Sequence, residues 1–323
     1  MRRNRPFAAL ILLMVVMIVV VTILMFRESA GTTAPAQVYV IVENSNDNRW
    51  VQFMAGMQQA AEDTGISLTI MPTGHIETLS EEETLVERAI ANGTDGVILQ
   101  LCSSQNAAQM LEKLSTRTSI ELVNEDAYEV MSNIVGMVSP DHRAMGEVLA
   151  WEAEELADGS LQKYTIGVIR GSLALSSMDQ RMEGFIQGLE SRGGKAAWVV
   201  EQTDDAKSLK EMLAQQKRPD ILVALDNTGL ETAAEYAASL SGNMTVLGIG
   251  TSMKALYYLD SGTVQSIVVP EDYMMGYQSV SDLAEYIHRN RFLPKVQTVQ
   301  HRIIHKDTLF AEENQEILFP VQR

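Results

Sequence analysis

Residues 38–65 read VYVIVENSNDNRWVQFMAGMQQAAEDTG and contain the unit that decides the fold. The apolar run at 37–43 is rich in β-branched residues and predicts a strand, and the polar stretch at 44–50 predicts a loop. A helical pattern follows and ends at Gly65, because glycine readily adopts the left-handed conformation found at helix C-termini. A strand, a loop and a helix therefore follow one another in this first unit.

The same unit recurs along the rest of the chain. Nine further apolar runs of strand length alternate with helical patterns, at 67–71, 96–101, 119–123, 133–138, 164–169, 196–200, 220–225, 244–249 and 264–269. Continuous apolar runs are typical of strands buried on both faces of a parallel sheet. Strict alternation of strands and helices predicts right-handed crossovers and doubly wound sheets. Because a single sheet of ten strands would be unusually wide, we expect two α/β lobes.

The N-terminal segment predicts a membrane anchor. Residues 7–26 carry no charge, and 20 residues at ~1.5 Å each span the ~30 Å hydrocarbon core of a bilayer. Three arginines precede this run and one follows it, so the positive-inside bias places a basic stub, 1–6, in the cytoplasm and the body outside. We expect a transmembrane helix at 7–26 and a flexible tether at 27–36. The alternative is a secretory signal cleaved after Ala36, since residues 34–36 have the A-x-A form.

Composition and charge exclude several classes of function. The net charge is −17, and because residues 1–36 contribute +3, the rest of the chain carries −20. A body this acidic repels phosphate backbones, so we expect no nucleic-acid partner. The single cysteine, Cys102, allows no intrachain disulfide and no cysteine-based zinc site. No P-loop, nucleophile elbow or HExxH motif occurs, so we expect no enzyme activity, no cofactor and no metal.

Polar loops follow most of the predicted strands. In open parallel sheets the ligand site lies beyond the carboxyl ends of the strands. The loops at those ends are rich in Asn, Asp, Gln and Ser, at 44–50, 100–106, 124–128, 170–177, 226–229 and 250–253. Amides and carboxylates pair with vicinal hydroxyl groups, and Trp50 offers an apolar ring face. The same residue types also cap helices, but their convergence in several loops favours a small polyhydroxylated ligand.

Five motifs, in this order, resemble the type I periplasmic-binding-protein family and its ribose- and galactose-binding branch. They are the opening segment at 38–65, DGVILQLCSSQNA at 95–107, PDHRAMG at 140–146, SMDQRMEGF at 177–185 and ALDNTGLETAAE at 224–235. The resemblance covers residues 37–300 and implies two hinged lobes around a cleft. It implies one lobe of 37–140 plus 271–300 and another of 141–270 plus 301–323. The crossings between the lobes are expected at Pro140, at Pro270 and near 298–302.

The resemblance also implies which residues contact the ligand. They are Asp47, Trp50, Gln100, Asn124, Glu125, Arg181 and Asp226. Trp50 would stack on a sugar ring, and the polar residues would hydrogen-bond its hydroxyls. For Arg181 the alternative is a solvent-facing helix residue, because its neighbours are polar. Three positions depart from the family pattern: Gly250 and Pro270 replace an acid and an amide, and Glu125 replaces an arginine. These changes shift the pocket towards a ligand with different, partly cationic polar groups.

The resemblance implies an extracytoplasmic solute-binding protein. Its ligand would be a monosaccharide or a similar small polar molecule, and its partner an ABC-type permease. The alternative is a tethered ligand-sensing subunit that signals to a membrane sensor kinase. An uncleaved anchor favours this alternative. Sugar-responsive repressors share the fold, but they need a DNA-binding helix-turn-helix in front of it. Residues 1–36 offer only the apolar run instead.

Overall fold

The computed structural model describes residues 35–125, 136–171, 174–202, 206–240, 244–289 and 296–319, together with Met14 and Met17. Apart from these two methionines, the predicted anchor at 7–26 lies outside the described residues, as does most of the tether. Within the described part of the chain, no helix is long and apolar enough to cross a membrane.

Strands and helices alternate from Gln37 onward. The strands are β1 (Gln37–Ile41), β2 (Ser67–Ile70), β3 (Gly96–Leu99), β4 (Ser119–Val123), β5 (Gly136–Pro140), β6 (Ile166–Arg170), β7 (Ala196–Glu201), β8 (Ile221–Ala224), β9 (Thr245–Ile249), β10 (Ser266–Pro270), β11 (Val296–Val299) and β12 (His301–His305). The helices are α1 (Val51–Thr64), α2 (Leu79–Ala91), α3 (Ala107–Ser115), α4 (His142–Leu156), α5 (Ser176–Ser191), α6 (Ala206–Gln215), α7 (Asn227–Ser239), α8 (Met253–Ser261), α9 (Asp272–Arg289) and α10 (Glu312–Leu318). Two short 3-10 helices lie at Asn48–Trp50 and Leu161–Lys163.

Two six-stranded sheets form the cores of two α/β lobes, as the alternating pattern predicts. The first sheet has the order β11-β5-β4-β3-β1-β2, and every neighbouring pair is parallel. The second has the order β12-β10-β9-β8-β6-β7 and is parallel except for β12, which pairs antiparallel with β10. Strands β3, β8 and β10 are buried at every position, which explains their continuous apolar sequences.

The chain passes three times between the lobes. Strand β5 of the first sheet leads into α4, which packs on α5 beside the second sheet. Strand β10 of the second sheet leads into α9, which packs on α1 and the first sheet. Strands β11 and β12 belong to different sheets and are separated by Gln300 alone. Two of the crossings touch, because the main-chain N–H of Glu271 donates to the carbonyl of Gln300 at 2.9 Å.

Helices α4 and α5 approach each other closely at two glycines. A Cβ atom on Gly146 would lie 2.1 Å from the carbonyl oxygen of Arg181, and one on Gly184 would lie 2.0 Å from that of Arg143. Any larger residue would force the two helices apart, because real Cβ contacts are never this short. The glycine contacts therefore set the position of Arg181 at the inner end of α5.

Candidate functional site

A cavity of about 150 Å³ lies where the carboxyl ends of strands from both sheets meet. Its lining comes from the ends of β1, β3 and β4 and the start of α9 in the first lobe. The second lobe contributes the start of α5 and the ends of β8, β9 and β10. The volume is an order of magnitude above the ~10–15 Å³ that one water molecule needs. The cavity can therefore hold a small molecule between the lobes.

The cavity brings together six of the seven predicted site residues, namely Trp50, Gln100, Asn124, Glu125, Arg181 and Asp226. The seventh, Asp47, is not part of the lining. Its carboxylate caps the 3-10 helix by accepting from the main-chain N–H of Arg49 at 3.0 Å, and its side chain is 45% exposed. The same short helix instead brings Arg49 and Trp50 to the cavity.

The Trp50 indole is buried and held on several sides. Its Nε1–H donates to the carbonyl of Glu43 at 2.9 Å, and its ring packs at a tilt against Phe53. The Arg49 guanidinium lies over the ring, 5.1 Å from its centroid. Because a cation already lies over the indole, the ring has less free surface for a sugar than the stacking prediction assumes.

Gln100 joins the ends of two neighbouring strands. Its Oε1 accepts a hydrogen bond from the main-chain N–H of Glu43 at 3.2 Å, and its side chain is buried. Glu43 in turn accepts from Arg49 Nη2 through both its carbonyl oxygen, at 3.2 Å, and its Oε2, at 3.3 Å. These bonds fix Gln100 and Arg49 in the part of the first lobe that lines the cavity.

Glu125 is bound by the opposite lobe. Its carboxylate is 1% exposed and accepts from the main-chain N–H of Ser177 at 3.0 Å and from the Ser177 hydroxyl at 2.5 Å. Asn124, which has φ +64°, donates to the same carboxylate at 3.0 Å. A carboxylate at the first turn of α5 also suits the positive end of the helix dipole. The acidic group predicted to favour a cationic ligand is thus already satisfied by protein donors.

Arg181 is buried in the cavity wall and does not face solvent. Its Nη1 donates to the carbonyl of Leu225 at 2.8 Å, and its Nε donates to Nδ1 of His142 at 3.1 Å. Burial, reinforced by the Arg181 charge, lowers the pKa of His142 well below its usual value, so the imidazole is neutral. Its proton is therefore on Nε2, which donates to the carbonyl of Asn124 at 2.7 Å. His142 links Arg181 to the loop of the other lobe.

Asp226 caps α7 with one oxygen and reaches the cavity with its side chain. Its Oδ1 accepts from the main-chain N–H of Gly229 at 2.7 Å. Burial raises the pKa of Asp226, while that hydrogen bond and the charges of Arg181 and Arg49 lower it. The next residue, Asn227, accepts from the N–H groups of Thr251 and Ser252 and so fixes the loop after β9.

Sequence reasoning missed Asp272, which lies in the first turn of α9 and lines the cavity from the first lobe. Burial raises the pKa of this carboxyl to about 7, against the opposing effect of Arg181 and Arg49. The available signal was its place two residues beyond Pro270, the last residue of β10. Arg49, Glu43 and Asn227 were missed as well. Arg49 and Asn227 lie in loops that the strand pattern singles out, and Glu43 is the last residue of the predicted strand at 37–43.

Two α/β lobes with a polar cavity between their strand ends define a two-lobed ligand-binding protein. The match to known families is consistent with this class. Residues 38–290 match the periplasmic binding protein domain family, and the chain belongs to that family.

Individual relatives are distant in sequence. The ABC transporter periplasmic-binding protein YphF of Escherichia coli (strain K12) is 24% identical over 230 residues, which are 66% of this chain and 68% of that protein. A carbohydrate transporter solute binding protein from Agrobacterium radiobacter, solved with D-arabinose, superposes with a TM-score of 0.78 at 16% identity, over 89% of this chain and all of the other. GanP, a glucose-galactose binding protein from Geobacillus stearothermophilus, superposes with a TM-score of 0.76 at 20% identity, over 86% of this chain and all of the other. At these identities the superpositions show a shared fold.

Proposed function

We propose that the protein captures a monosaccharide or a similar small polar molecule in the cavity between its lobes. The observation that carries this proposal is the convergence of Arg181 and Asp226 from one lobe with Gln100 and Asp272 from the other on one small cavity. Relatives of the same fold are described with D-arabinose or as glucose-galactose binding, which supports a sugar.

The cavity contains polar atoms suited to hydroxyl groups. Within the described residues, no hydrogen bond is made by Nη2 of Arg181, by Oδ2 of Asp226 or by the carboxylate of Asp272. A guanidinium donates and a carboxylate accepts, so together they can satisfy neighbouring hydroxyls of one ring. We expect these three side chains to orient the ligand.

We propose further that the lobes, 37–140 plus 271–300 and 141–270 plus 301–323, open and close about the three crossings. Contacts between the lobes support this proposal, because they lie beside the cavity. The N–H of Ser104 donates to the carbonyl of Ala174 at 2.8 Å, and the Ser104 hydroxyl accepts from the N–H of Ser176 at 2.9 Å. Together with the hydrogen bonds of Glu125, these bonds hold the two lobes in a closed arrangement. They would have to break for a ligand to enter the cavity.

We propose extracytoplasmic binding, anchoring through residues 7–26 and delivery to an ABC-type importer. The name of the Escherichia coli relative supports the importer, and the apolar run behind three arginines supports the anchor. In the alternative, the protein senses the ligand and signals to a membrane sensor kinase instead of delivering the ligand to an importer. A permease gene beside this one would favour import, and a sensor-kinase gene would favour sensing.

A thermal-shift screen of the full chain tests the binding proposal. We expect one sugar among D-arabinose, D-ribose, D-xylose, D-glucose and D-galactose, or an amine derivative of one, to raise the melting temperature saturably. A ligand at 100 times its Kd adds ~2.7 kcal/mol of apparent stability. R181A should lose the shift, whereas R117A, which removes an exposed arginine paired with Glu87, should retain it. If no sugar or derivative shifts the wild type, the proposal is wrong.

A further inference from the structure

The cavity lining contains more negative than positive groups. Four carboxylates line it, those of Glu43, Glu125, Asp226 and Asp272, against two guanidinium groups, those of Arg49 and Arg181. Buried charge is costly unless it is paired, so the pairing of each group decides what the cavity can accept.

Two of the four carboxylates have both of their oxygens bonded within the protein. Glu43 pairs with Arg49, and it also contacts His75. Glu125 is held by the first turn of α5. Arg49 is further balanced by Asp47 at 3.9 Å. Neither of these carboxylates is available to a ligand.

The remaining charges do not balance. The charges of Glu125, Asp226 and Asp272 all act on Arg181, whose Nε and Nη1 are bonded to neutral acceptors, the His142 ring and the Leu225 carbonyl. The carboxylate of Asp272 accepts no hydrogen bond from any described residue. The cations that act on it are Arg181 from α5 and Arg49 from the 3-10 helix, yet burial still raises its pKa to about 7. An excess carboxylate therefore faces the cavity.

We propose that the ligand is an amino sugar, or an amine-bearing polyol of similar size. Its protonated amine is bound by Asp272 together with Asp226. This inference rests on the proposed function and names the chemical class of its ligand. An ammonium group brings one positive charge and three donors, which suits two carboxylates with free oxygens. The hydroxyl groups of a neutral sugar can donate hydrogen bonds to the same oxygens. A neutral sugar nevertheless leaves the excess negative charge of the cavity uncompensated. Asp272 thus selects for the amine.

Calorimetric titration of the full chain with matched pairs tests the proposal. The probes are D-glucosamine against D-glucose and D-galactosamine against D-galactose, at about neutral pH. We expect an amine to bind at least about tenfold tighter than its neutral partner, a difference of ~1.4 kcal/mol. D272N should remove this preference, because it should weaken binding of the amine much more than binding of the neutral sugar. D260N, an equivalent change at an exposed carboxylate of α8 outside the cavity, should leave the preference intact.

A second measurement uses the wild type alone. At about pH 6, Asp272 of the empty protein is mostly protonated, so ammonium binding should release close to one proton. Titrations in two buffers of different ionisation enthalpy measure this release, and the neutral sugar should cause none.

The outcomes separate this inference from the proposed function. A neutral sugar that binds as tightly as its amine overturns the inference and leaves sugar capture standing. A D272N variant that keeps the amine preference, or amine binding without proton release, also overturns it. If none of these probes and no sugar of the wider screen binds, the proposed function fails and the inference fails with it.

Discussion

The carboxylate of Glu125 in the first lobe accepts a hydrogen bond from the main-chain N–H of Ser177 in the second, at 3.0 Å. The Ser177 hydroxyl bonds the same carboxylate, and that of Ser176 lies 3.4 Å from it. The contact lies in the cavity wall, where the lobes meet over the site. Glu125 therefore joins the two lobes in the wall of the cavity.

Replacing this carboxylate should weaken closure. E125Q turns one acceptor oxygen into a donor that faces the N–H groups of α5, and a hydrogen bond to a charged group contributes about 1.5–3 kcal/mol. We expect a larger radius of gyration in solution scattering without ligand. The affinity for the bound sugar should fall by about 5–30-fold, which corresponds to one or two kcal/mol. E190Q, at an exposed position of the same helix, is the control. Equal scattering curves and affinities for the two variants would contradict this role.

Glu82 should make stability depend on pH. This side chain is fully buried in α2, and burial raises its pKa from 4.5 to about 8, although one oxygen accepts from the N–H of Cys102 at 2.8 Å. Below about pH 4.5 the group is protonated in both states. Between about pH 4.5 and 8 only the unfolded chain ionises, so stability falls as pH rises, by on the order of 5 kcal/mol in total.

The variant E82Q isolates this effect. Glutamine keeps an acceptor for Cys102 but cannot ionise, so E82Q should be more stable than the wild type at about pH 8 and similar at about pH 4.5. Urea unfolding at both pH values measures the difference. E112Q, at an exposed position of α3, should show no such change. A stability difference for E82Q that is the same at both pH values would refute the assignment.

The glycine contact between α4 and α5 should matter for both stability and binding. G146A places a methyl group 2.1 Å from the Arg181 carbonyl and should cost about 1–3 kcal/mol, because the helices must separate. Displacing α5 also moves the guanidinium, so sugar affinity should fall along with the melting temperature. G74A, where a Cβ would meet nothing within 4 Å, should change neither. A G146A protein that melts and binds like the wild type would show that the helices are not fixed by this contact.

The two-lobe fold could be predicted because its central strands are continuously apolar. Strand β11 was not predicted and the segment of β12 was interpreted as strand or loop, since β11 is buried only at Val299 and β12 only at Ile304. These edge strands carry no long apolar run, and only their pairing with β5 and β10 identifies them. The predicted strand at 133–138 begins at Gly136 within the described residues.

The site could be predicted in part. Gln100 directly follows β3, and Asp226 lies two residues beyond the end of β8, so their place at the cavity follows from the βα pattern. Asp47 and Arg49 lie two residues apart in one loop, and only the 3-10 turn decides that Arg49 reaches the cavity. Asp272 enters from a helix that crosses back to the first lobe, so its contribution depends on the packing of the two lobes.

Trp50 provides the most direct test of ligand capture in the cavity. The chain has three tryptophans, and the double variant W151F/W198F leaves only the one in the cavity wall. Titration of this full-length variant with the sugar or amino sugar that stabilises the wild type should change its tryptophan fluorescence saturably, with one ligand per chain. Calorimetric binding without any change in the fluorescence of Trp50 would place the ligand elsewhere and contradict the account.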